Sequence, residues 1–83
     1  MKANISGKRI KLARIDRELD QVELAAALSV DYGIEISQTS ISEIERGIRG
    51  VRDFELGAIC KVLDVSPEWL LYGDKTDMPN KKV

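Results

Sequence analysis

Gln21-Val22-Glu23-Leu24-Ala25-Ala26-Ala27-Leu28-Ser29-Val30-Asp31-Tyr32-Gly33-Ile34-Glu35-Ile36-Ser37-Gln38-Thr39-Ser40-Ile41-Ser42-Glu43-Ile44-Glu45-Arg46-Gly47 contains two helix beginnings and two helix endings. Asp20, immediately before it, is a good N-cap, and Glu23 stands three residues on in the capping-box position. Gly33 is a stop signal, so the spacing predicts a helix from Gln21 to about Tyr32. Ser37 caps the next helix, Gln38 to about Glu45 or Arg46, and Gly47 ends it. In that helix Ile41 and Ile44 share one side and can anchor it to a core. Thr39, Ser42, Glu43 and Arg46 point the other way, and Gln38 sits on the first turn near free backbone N–H groups. Short hydrogen-bonding side chains on such a face suit the donor and acceptor edges of base pairs.

Helical periodicity continues on both sides. A first helix is expected to begin after Asn4 or Ser6 and run to Arg17 or Glu18, with Ile10, Ala13 and the flanking Ile5 or Ile15 on its apolar side. Leu19 then packs at the corner. Beyond Gly47, a loop through Gly50 leads to a fourth helix near Asp53, whose carboxylate suits a cap or first-turn position. Phe54, Leu56, Ile59, Cys60 and Leu63 recur there at near-helical spacing. Ser66-Pro67-Glu68 is a cap, a proline at the first helical position and an acid; Trp69, Leu70 and Leu71 fill that short fifth helix, and Gly73 closes it. Residues 74–83 are polar, contain Pro79, and are expected to fray or be disordered. The expectation is one all-α domain, residues 1–73, built as a compact five-helix bundle, with no internal repeat and no second domain.

The chain has 83 residues, 43% apolar and 33% charged, the composition of a soluble globular domain. It has no histidine, which removes the commonest residue of metal sites and acid–base catalysis. Its one cysteine, Cys60, lies in an apolar-periodic stretch and reads as a small core residue rather than a nucleophile. With no Gly-rich phosphate loop and no metal-ligand spacing, neither enzymatic activity nor a cofactor is expected. No apolar run approaches a membrane span and no signal-peptide pattern opens the chain, so the expected location is the cytoplasm, away from membranes. The net charge of −1 hides a polarised order: net +5 over residues 1–17, −7 over 18–45, +3 over 46–52 from Arg46, Arg49 and Arg52, and −2 thereafter.

Gln21, Glu23-Leu24-Ala25, Ser37-Gln38, Ile41-Ser42, Ile44-Glu45-Arg46-Gly47 and the stretch from Val65 to Leu71 resemble the phage-repressor (Cro-like, XRE) helix-turn-helix family over roughly residues 7–73. The resemblance implies a lambda-repressor-like bundle whose second and third helices form the helix-turn-helix and whose third helix enters the major groove of double-stranded DNA. By that resemblance Gln38, Thr39, Ser42 and Glu43 read bases, with Gln38 buttressed by Gln21. Gln21, Ser40, Arg46, Arg49 and Arg52 meet the DNA backbone. Arg14 and Glu45 match positions that join in a partly buried salt bridge, and Glu45 lies on the side of its helix nearer Ile41 and Ile44.

The chain departs from the family pattern in one place. Eight residues, Ser29 to Ile36, separate Leu28 from the Ser37 cap where the family has about two. They are expected to lengthen the second helix by about one turn and to form a loop around Gly33. The leading functional reading is a transcriptional repressor that binds its operator as a homodimer, with Leu71 or Tyr72 in the self-contact. The alternatives are the antitoxin of a toxin–antitoxin pair and a protein-interaction module that keeps the fold without DNA affinity, so a toxin or co-regulator is an alternative protein partner. The acidic middle favours the last of these; the three arginines and the Ser/Thr/Gln-rich face oppose it.

Overall fold

Short polar side chains set most of the helix starts. The structure, a computed structural model, describes residues 4–73, and five helices form among them: α1 (Gly7–Asp16), α2 (Gln21–Tyr32), α3 (Gln38–Glu45), α4 (Asp53–Leu63) and α5 (Pro67–Tyr72). The Glu23 backbone N–H donates to Asp20 at 2.7 Å, and the Asp20 N–H donates back to Glu23 Oε1 at 2.8 Å, a closed capping box. Ser37 and Ser66 accept from the backbone N–H groups of Ser40 and Trp69, both at 3.0 Å. Arg52 occupies the cap position of α4, which makes Asp53 a first-turn residue. Glu55 then accepts the Arg52 N–H at 3.0 Å.

The second helix stops because the chain turns left-handed at Gly33, where φ is 67°. That conformation lets the Gly33 and Ile34 N–H groups close on the Ser29 and Leu28 carbonyls, both at 3.0 Å. The same device ends α3 at Gly47, φ 77°.

Ile10 and Ala13 of α1, Leu24 and Leu28 of α2, and Ile41 and Ile44 of α3 meet in one core, closed from the other side by α4 and α5. Each fully buried leucine or isoleucine contributes about 1.5–3 kcal/mol. Helix α3 is clasped by both α1 and α2, so its buried isoleucines fix which of its faces remains outside. At its far end α3 comes so close to the start of α1 that a Cβ on Gly7 would collide with the Ile44 carbonyl oxygen. Cys60 is buried, and burial pushes its thiol pKa up, as befits an inert core residue.

Three apolar residues differ from their expected places. Ile5 and Ile15 are exposed: Ile5 precedes the helix, and the inward face of α1 is taken by Ile10, Ala13 and Arg14. Phe54 is also exposed, because five residues at 100° each turn it about 140° from Ile59, which defines the inner side of α4. In α5, Trp69 and Leu70 are buried, Leu71 is half-buried and Tyr72 is exposed. The expected disorder of residues 74–83 lies outside the described residues. Among the described residues no helix is long and apolar enough to cross a membrane.

Candidate nucleic-acid interface

A chain of polar contacts runs from the core to the exposed start of α3. Arg14 of α1 meets Glu45 at the end of α3 through two parallel bonds, Nε to Oε2 at 2.7 Å and Nη2 to Oε1 at 3.0 Å. Its third nitrogen, Nη1, donates to the Leu19 carbonyl at 2.8 Å. The side chains are 10% and 3% exposed. The Glu45 hydrogen bond raises the Arg14 pKa against the opposing effect of burial. Gln21, the first residue of α2, donates its Nε2 to the same Glu45 Oε1 at 3.0 Å. Gln38, the first residue of α3, donates its own Nε2 to Gln21 Oε1 at 2.6 Å.

The direction of this relay follows from chemistry. An ionised carboxylate can only accept, so the Gln21 amide must turn its NH₂ toward Glu45 and its oxygen outward. That oxygen takes one N–H of Gln38. Gln38 is left presenting its carbonyl oxygen and a second N–H to solvent, the pair of groups that adenine N6 and N7 can satisfy.

The rest of the α3 face is polar and open. Thr39 and Arg46 are exposed, and Ser42 and Glu43 are half-exposed. Ser40 differs: it is half-buried, and its hydroxyl accepts from Ser37 Oγ at 3.1 Å within the cap. The three arginines after α3 separate into two kinds. Arg46 and Arg52 extend to solvent. Arg49, grouped with them by the resemblance, clamps the buried Glu55 carboxylate with Nη1–Oε1 at 3.1 Å and Nη2–Oε2 at 3.0 Å. The Arg49 hydrogen bond holds the Glu55 carboxyl below the usual carboxylate range, and Glu55 in turn raises the Arg49 pKa.

Two residues of this region have no local sequence signal. Glu55 looks like an ordinary first-turn acid until the loop folds Arg49 onto it. Asn4 uses its amide to tie the chain start to the end of α3: Nδ2 donates to the Arg49 carbonyl at 2.7 Å and the Ile44 carbonyl at 3.2 Å, while Oδ1 accepts the Gly7 N–H at 2.6 Å. These partners lie 40 and 45 residues away, so no spacing rule could have found them.

Helix α2, a connection, and a half-exposed α3 pinned at both ends form a helix-turn-helix, and that family's profile matches residues 10–70. The chain belongs to the helix-turn-helix family of phage-repressor type. It is 38% identical over 77 residues to the HTH-type transcriptional regulator DicA of Escherichia coli (strain K12), covering 93% of this chain. The chain spans about half, 53%, of that relative's length. Among solved structures it is similar to the P22 c2 repressor protein in complex with synthetic operator 9T, with TM-score 0.72, 30% identity, and coverage of 86% of this chain and 98% of that one. A chain of the SinR protein/SinI protein complex is also similar, with TM-score 0.68, 26% identity, and coverage of 90% of this chain and 68% of that one.

Within this helix-turn-helix the eight residues Ser29 to Ile36 do two things. The first four continue α2 to Tyr32, and the rest make a loop whose Ile34 and Ile36 pack against the core. Ser29 and Glu35 close it with a 3.3 Å side-chain hydrogen bond. The added length is absorbed outside the contact between the starts of α2 and α3, where Gln21 and Gln38 meet directly.

Proposed function

We propose that this chain is a sequence-specific double-stranded DNA-binding regulator, a repressor working in the cytoplasm as a homodimer, that reads the major groove with α3. The observation that carries this reading is the Glu45–Gln21–Gln38 relay, which fixes the orientation of an exposed amide at the very start of a polar helix face. A pre-oriented amide loses little freedom on meeting a base, and a bidentate contact discriminates by about 1–3 kcal/mol. Gln38, Thr39, Ser42 and Glu43 face the bases in this reading. Gln21, at the N-terminus of α2, meets a phosphate through its second amide N–H, the one not given to Glu45, with help from the helix dipole. Arg46 and Arg52 supply phosphate contacts, while Arg49 acts chiefly through Glu55 and Ser40 through the α3 cap. The similarity to a transcriptional regulator and to an operator-bound repressor supports the same assignment. The SinR–SinI complex supports a protein partner as a second, compatible property.

A single eight-residue recognition helix spans only a few base pairs, so specificity calls for two half-sites about 34 Å apart. Tyr72 is 73% exposed and Leu71 half-buried, which makes α5 one candidate for the self-contact.

Selection from a random duplex pool, followed by binding over a salt series, tests the reading. The expected result is an enriched twofold-symmetric site bound far more tightly than bulk DNA, with affinity falling steeply as salt rises. Failure to enrich any sequence would remove the assignment.

A further inference from the structure

Helix α4 carries a row beside the end of α2 that the DNA face does not use, exposed at Phe54 and Lys61, half-exposed at Gly57 and floored by the buried Ala58. Phe54, Gly57, Ala58 and Lys61 stand at i, i+3, i+4 and i+7, and the lengthened end of α2 brings Tyr32 and Ile34 beside them. Together they line an open groove of about 360 Å³. Two of the chain's four aromatic residues are there, Phe54 55% and Tyr32 42% exposed.

Gly57 gives the groove its meaning. Glycine in a helix interior is less stable than alanine, because it forfeits more backbone freedom on folding. A Cβ at Gly57 would meet nothing within 4 Å, so nothing in this chain's packing requires its absence. What glycine leaves is a notch in an apolar helix face, where another backbone or ring can approach closely.

The charges around the notch are self-complementary. Asp53, Gly57 and Lys61 lie at i, i+4 and i+8 along one ridge of α4, an acid and a base placed symmetrically about the glycine. Asp53 and Lys61 are both exposed. If two copies of α4 cross antiparallel at Gly57, Lys61 of each copy faces Asp53 of the other, twice over, and the Phe54 rings flank the notch.

We infer that the α4 row centred on Gly57 is the seat of a second copy of this chain, in a twofold contact. The inference rests on the two-copy reading above and names the face that reading leaves open. It locates the contact on α4 with the added end of α2, rather than on Leu71 and Tyr72.

Sedimentation equilibrium without DNA, run beside thermal unfolding at dilute, monomeric concentration, tests it. The wild type is expected to show a monomer–dimer equilibrium. Gly57→Ala should raise the dilute melting temperature by about 3–6 °C while weakening dimerisation at least about tenfold, opposite signs that a purely structural glycine would not give. Lys61→Glu should weaken dimerisation, and Asp53→Lys added to it should restore much of the loss. A monomer at every concentration overturns the inference, as does a Gly57→Ala protein that pairs as well as the wild type. Loss of pairing in Tyr72→Ala but not in Gly57→Ala overturns it too and puts the contact on α5. Binding to a single half-site duplex keeps the two readings apart: dimers that bind no DNA would refute the regulator reading alone, and half-site binding by a chain that never pairs would refute the α4 seat alone.

Discussion

Gln21 and Gln38, each the first residue of its helix, are joined by a 2.6 Å hydrogen bond from Gln38 Nε2 to Gln21 Oε1. Because Glu45 holds the other end of Gln21, the two amides form one oriented unit. Gln38→Ala is expected to lose about 1–3 kcal/mol of discrimination, at an adenine in the site. Gln21→Ala should lose part of the same discrimination at the same base pair, and the double variant should lose less than the sum. Binding to a panel of single-base variants of the selected site measures this. Additive losses at two different base pairs would show that the amides act separately.

The Arg14–Glu45 pair anchors the same relay. Arg14→Ala should leave an uncompensated carboxylate in a nearly closed site and destabilise the fold by about 3–5 kcal/mol. Urea unfolding gives the number. A loss below about 1 kcal/mol would mean that solvent reaches the pair.

Glu55, 2% exposed, should govern acid stability through Arg49. Its folded pKa lies below the unfolded value of about 4.3. The stability it contributes is therefore complete above that unfolded value and is lost as pH falls through the depressed folded one. Glu55→Gln is expected to be less stable than the wild type at pH 7 by about 1–3 kcal/mol, with the gap narrowing as pH falls below the unfolded value and through the depressed folded one. Denaturant unfolding at three or four pH values checks the trend, and a gap that stays constant with pH would contradict it.

The arginines after α3 should separate experimentally as they do in space. Arg46→Ala and Arg52→Ala should weaken binding to all DNA alike and flatten the salt dependence by about one unit of log–log slope each. Arg49→Ala should instead act mainly on the fold, lowering the melting temperature with a smaller change in slope. Equal slopes and equal melting temperatures for all three variants would return Arg49 to the phosphate contacts.

Glu43 tests the face itself. Its carboxylate opposes the phosphates in general but can accept from cytosine N4. Glu43→Gln is expected to raise affinity for bulk DNA and to change the preference at one base pair. If neither bulk affinity nor the selected sequence moved, this side of α3 would not be the one in the groove.

The sequence by itself determined the helices and their order. Asp20, Ser37 and Ser66 cap their helices with bonds three residues long, and Gly33 and Gly47 end theirs by adopting a left-handed conformation, so each signal is complete within one turn of chain. The inward side of α3 was equally legible, since Ile41 and Ile44 repeat at the helical period. Tertiary structure decided which polar groups meet. Arg49 turns to Glu55 rather than to solvent, Asn4 reaches across the chain to the end of α3, and Glu45 orients Gln21. It also decided that Phe54 stays outside, because the inner side of α4 was already set by Ile59 and Leu63. A cap or a period is a property of neighbours in sequence, whereas a hydrogen bond across 31 residues, like that of Arg14 and Glu45, exists only once a packed core has brought its two ends together.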